Sequence, residues 1–109
     1  MNQDLTFDEL LEFIKWENGR VIERDGFVSK REDILSGVVK LSEELGELSN
    51  EILINLGLCR PDKFRENKKE MDKEVIDCLL VLLILAERMG VDVKQGLKDK
   101  MEIIKNRKY

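Results

Sequence analysis

The sequence predicts an all-α fold of four helices. A single proline and seven glycines leave long stretches free of turn residues. Apolar residues recur three and four positions apart along those stretches. With 109 residues, 42% of them apolar and 39% charged, the chain suits one modest domain spanning 1–109. Thr6 with Glu9 forms a capping box, and Phe7, Leu10, Leu11 and Ile14 carry the first helix to about Trp16. From Glu17 to Lys30 the pattern lapses at Gly19, a polar mixture and the pair Asp25-Gly26, which predicts a loop. The second helix runs from about Arg31 to Leu56 on a stripe of Ile34, Val38, Leu41, Leu45, Leu48 and Ile52. Gly57 and Pro61 end it, and a connection follows through Arg65. The third helix spans about Asn67 to Met89, with Gly90 as its stop. Asp92 with Gln95 opens the fourth, whose buried side carries Val93, Leu97, Met101 and Ile104. Short connections between long helices favour antiparallel neighbours, hence a small bundle.

Composition also removes classes of function. A net charge of −4 without a long basic block gives no general attraction to nucleic acid or to an anionic membrane. The absence of histidine excludes Ser/His/Asp and Cys/His nucleophilic sites, His-ligated zinc and the Glu-x-x-His pairs of di-iron bundles. Cys59 and Cys78 are far apart and nothing N-terminal resembles a signal peptide, so the expected compartment is the reducing cytoplasm. The run CLLVLLILA, Cys78 to Ala86, is about half the length that crosses a bilayer. It reads instead as a helix buried on nearly all sides, in a core or a subunit interface. That is more apolar surface than a monomer of this size needs, which predicts a homo-oligomer.

The stretch KLSEELGELSNE, Lys40 to Glu51, concentrates Glu43, Glu44, Glu47 and Glu51 on the second helix. Glu44, Glu47 and Glu51 fall within an arc of about 60° bordering the apolar stripe, while Glu43 turns outward. Like charges at i,i+3 and i,i+4 cost a few tenths of a kcal/mol per pair, and only Lys40 offers local compensation. On the third helix Glu70, Glu74 and Asp77 continue into the inward strip of Cys78, Val81 and Leu85. A solvated acidic face is the ordinary reading of either motif alone. Two acidic strips turned inward on neighbouring helices instead suit a hard divalent cation, Mg²⁺ or Mn²⁺.

The pair EELGE (Glu43, Glu44, Glu47) and EVID (Glu74, Asp77) resembles the E-E-x-x-E and E-x-x-D signature of the MazG-like all-α nucleoside triphosphate pyrophosphohydrolases. The resemblance covers about Lys40 to Arg107. It implies a four-helix MazG-like subunit assembling as a homo-dimer or homo-tetramer, and Mg²⁺-dependent cleavage between the α and β phosphates to nucleoside monophosphate and pyrophosphate. By position it makes Glu44, Glu47, Glu74 and Asp77 the metal ligands, with Glu43 a ligand or a group just behind them. The catalytic set would be Glu43, Glu44 and Glu47. Lys100 and Arg107 match basic residues of the family's last helix, whereas Ile104 stands where many relatives have asparagine and Asn106 is out of register.

Helical phase puts Lys100 and Arg107 on the side of Leu97 and Ile104, where they could meet a triphosphate or simply snorkel to water. Trp16 and Phe13 could stack on a nucleobase or pack in the core. Two rival functions stand beside the first. Phosphoribosyl-ATP pyrophosphohydrolase shares the architecture, but the aromatic-histidine dipeptide associated with it is missing from the third helix. A non-catalytic helical oligomerisation or regulatory module could use the acidic strip for a structural metal or a basic partner.

Overall fold

The computed structural model describes residues 4–27 and 29–109. They form α1 (Phe7–Asp25), α2 (Lys30–Asn55), α3 (Lys69–Arg88) and α4 (Val93–Lys105), with one 3-10 turn at Pro61–Lys63 and no strand among the described residues. The protein is all-α, as its sequence predicts. No helix among the described residues is long and apolar enough to cross a membrane.

The helix ends follow local chemistry. Thr6 and Ser29 accept hydrogen bonds from the backbone N–H of Glu9 and Glu32, each at 3.1 Å, and so cap α1 and α2. Asp92 caps α4 by accepting from the N–H of Gln95 at 3.1 Å, while the Gln95 side chain donates forward to Asp99 instead of closing the box. Gly57 (φ 75°) and Gly90 (φ 70°) end α2 and α3 in the left-handed region. In each case the next residue donates back across the turn, Leu58 to the carbonyl of Leu53 and Val91 to that of Ala86.

α1 is longer than expected. The segment from Glu17, read as a loop, continues the helix to Asp25, where Gly26 (φ 64°) stops it. Gly19 faces open space and lowers helix propensity without breaking the helix. The buried stripe does persist, but through Asn18 and the half-buried Val21 rather than through large apolar residues. Asn18 is buried because Arg88 of α3 reaches it, the guanidinium Nε donating to Asn18 Oδ1 at 2.8 Å.

α2 and α3 run antiparallel in close contact, and α1 lies on α3. The pairings Asp33 with Arg88, Gly37 with Leu85 and Glu44 with Glu74 descend along α3 as α2 ascends. The inward face of α2 is therefore Asp33, Gly37, Leu41, Glu44, Leu48 and Glu51, not the stripe expected from apolar spacing. Leu41 and Leu48 belong to both, whereas Val38, Leu45 and Ile52 remain exposed in the single chain. Gly37 explains the phase: a Cβ there would lie 3.0 Å from Leu85 Cδ1 and 3.2 Å from an Arg88 nitrogen, so the helices approach most closely where the side chain is absent.

The hub of this packing is polar. Arg88 Nε lies 2.9 Å from Asp33 Oδ1, and its NH1 nitrogen donates to the Asp33 carbonyl at 3.0 Å and to Ser36 Oγ at 3.2 Å. Arg88, Asp33 and Asn18 are all buried, and the Phe27 ring lies 5.5 Å from the guanidinium. Charged groups this deep require such partners, because losing one strands the other.

α4 departs most from expectation. Its residues from Lys94 to Lys105 are all exposed, so Leu97, Met101 and Ile104 do not form a buried side within one chain. An ion pair between Lys94 and Asp8, 2.8 Å long, ties its first turn to α1. The bundle is thus not closed by the four helices of one chain. Accordingly, the radius of gyration is 17.3 Å, against about 13 Å for a compact chain of this length.

Candidate metal centre

Midway along the α2–α3 contact, Glu44, Glu74 and Asp77 converge, each offering a carboxylate oxygen within 4.8 Å of the other two. Helix geometry makes this possible: Glu74 and Asp77 are one turn apart on the same face of α3, and Glu44 comes from the antiparallel neighbour. Glu44 is only 7% exposed. One oxygen of Glu44 and one of Glu74, Oε2 in each case, are buried without a hydrogen-bond partner among the described residues. Such orphaned acceptors are costly in a protein interior.

The electrostatics follow from that crowding. Burial, then the charge of Glu47, then the close approach of Glu44 push the Glu74 carboxyl above its ordinary value of 4.5. Burial likewise raises the Cys78 thiol next to Asp77, with Glu44 the largest charge contribution. Lys40 is the neighbouring cation, its Nζ 3.2 Å from Glu44 Oε1, and that hydrogen bond raises its pKa.

The remaining site residues expected from the sequence are dispersed. Glu47 is exposed and stands outside the three-carboxylate group, near enough for its charge to act on Glu74. Glu43 is exposed, 3.8 Å from Lys40 Nζ. Glu51, read as part of the same acidic strip, is instead paired with Arg65 of the connection, whose carbonyl accepts from Asn55. Glu70 is exposed at the start of α3.

Lys100 and Arg107 are exposed, and neither side chain makes an ion pair or hydrogen bond among the described residues. Phe13 and Trp16 lie on an exposed part of α1, their ring centroids 5.9 Å apart, with the Arg20 guanidinium 4.4 Å from the Trp16 centroid. Neither aromatic residue is in the core.

A cavity of about 390 Å³ opens beside the cluster, lined in part by Phe27, Gly37, Lys40, Glu43, Val81 and Arg88. Arg88, one of its lining residues, was not anticipated from the sequence. Its signal was the phase of α3, where Arg88 continues the inward strip of Val81 and Leu85 and so demands a buried partner.

No family model matches the chain, and no solved structure matches it. Among curated proteins, the uncharacterized protein YpjD of Bacillus subtilis (strain 168) is 36% identical over 62 residues, which are 57% of this chain and 55% of that protein. The match thus spans about half the length of a relative whose description carries no activity.

Proposed function

We propose that the protein is a Mg²⁺-dependent nucleoside triphosphate pyrophosphohydrolase that releases nucleoside monophosphate and pyrophosphate, working as a cytoplasmic homo-oligomer of the MazG-like type. The observation that carries this reading is the pair of buried, unpartnered carboxylate oxygens on Glu44 and Glu74, with Asp77 beside them. Oxygen-only donors without histidine or a converging thiol suit a hard cation. Glu44, Glu74 and Asp77 would hold it. Once bound, the ion supplies positive charge against the phosphate oxygens and lowers the pKa of water.

The protein's own groups supply the rest. Glu47, facing solvent at the edge of the cluster, is available to accept the proton of the attacking water. Lys100 and Arg107 are free cations for the phosphates, provided that α4 of a second copy brings them to the cluster. Exposed Val38, Leu45 and Ile52 on α2, and Val75, Leu79 and Leu82 on α3, supply the apolar surface for such an association.

The test is pyrophosphate release from standard and modified nucleoside triphosphates, with Mg²⁺, with Mn²⁺ and with chelator, and identification of the nucleotide product. Metal-dependent monophosphate formation is expected, with Asp77→Ala lowering the rate by about a hundredfold or more while the chain stays folded. Equal rates in wild type and variant would remove the assignment. That Lys100 and Arg107 make no ion pair with the carboxylates among the described residues also suits a non-catalytic module holding a structural ion. That reading requires metal binding without turnover of any triphosphate.

A further inference from the structure

The carboxylate cluster already has a cation. Lys40 stands one turn before Glu44 on α2, and its Nζ lies 3.2 Å from Glu44 Oε1 and 3.8 Å from Glu43 Oε2. Among the described residues no other basic side chain forms an ion pair with Glu44, Glu74 or Asp77. The two ends of this pair differ sharply in setting. The Glu44 side chain is 9% exposed and that of Lys40 is 56% exposed. One partner is fixed in the helix contact, and the other is a flexible arm held from the solvent side.

A divalent cation drawing on Glu44 would compete with the ammonium for the same carboxylate, and two cations that close repel. Lys40 also lines the 390 Å³ cavity, so its side chain can swing away without disturbing the α2–α3 contact. Resting on the metal reading above, we propose that Lys40 is the exchangeable counter-ion of this site. It neutralises Glu44 in the metal-free chain, and a divalent cation displaces it toward the cavity. Lys40 therefore holds the cluster together when no metal is bound, and it weakens metal affinity by turning binding into an exchange.

Lys40→Met, which keeps the apolar stem and removes the charge, separates these effects. Mn²⁺ affinity is measured by calorimetry and melting temperature with and without Mn²⁺. The variant is expected to bind Mn²⁺ about three- to tenfold more tightly. It should also melt below wild type without metal, and the gap should narrow when Mn²⁺ is saturating. Because removing any nearby positive charge aids a cation, displacement is checked in the wild-type sequence. Its lysines are reductively ¹³C-methylated, and the Lys40 resonance, assigned by its loss in Lys40→Met, is followed through a Mg²⁺ titration. A shift that saturates with metal binding supports the exchange. A resonance that does not move at saturating Mg²⁺, or unchanged Mn²⁺ affinity in the variant, overturns this inference and leaves the metal centre standing. Failure of the wild-type protein to bind either ion overturns both.

Discussion

Glu74 is where the crowding of the three carboxylates is most readable. Its carboxyl pKa is raised by burial and by the charges of Glu47, Glu44 and Asp77. The folded chain therefore keeps this proton at pH values where the unfolded chain has released it. Its contribution to stability is fully present below the ordinary carboxylate value and is lost as pH rises through the raised value. Melting of the metal-free protein across that window should show this decline, and Glu74→Gln should flatten it; an unchanged slope would mean that Glu74 is not the group responsible. Helical spacing put Glu44 on one acidic strip with Glu47 and Glu51, and Glu74 and Asp77 on another with Glu70, but it did not single out the three that converge. The different fates of Glu47 and Glu51 were not legible, since they depend on where α3 docks and on Arg65, a partner 14 residues from Glu51.

The four helices and most of their ends were readable from caps and glycines, chemistry that acts over a few residues. The end of α1 was not. Its second half is held by the Glu17–Arg20 ion pair and by the Asn18 contact with Arg88, 70 residues away, and neither adds apolar periodicity. The same difficulty affected α2, where Gly37 and Asp33 occupy the tightest part of the helix contact and three apolar residues do not. A buried face made of polar and absent side chains is invisible to a hydrophobicity pattern. Because α1 continues through Gly19 and a Cβ added there would meet nothing within 4 Å, Gly19→Ala should raise stability by about 0.5–1 kcal/mol in denaturant unfolding. A loop at that position would give no such gain.

Taken whole, the chain exposes 8662 Å², while a compact monomer of 12.7 kDa exposes about 6,200 Å². The excess of about 2,400 Å² is comparable to an extensive subunit interface. Light scattering at micromolar concentration should therefore report a multiple of the chain mass, and Leu82→Glu, in the open face of α3, should shift it toward monomer. A wild-type monomer would mean that these faces serve another partner. Within the chain, the order of assembly follows from loop lengths. Bringing α2 against α3 closes only the short connection between Asn55 and Lys69, whereas joining Asn18 to Arg88 closes a far longer loop. Closure entropy grows with that length, so the α2–α3 hairpin is expected to form before α1 docks on it. Because Glu44, Glu74 and Asp77 all belong to the hairpin, the proposed cation site is expected to take shape with the part of the molecule that forms first.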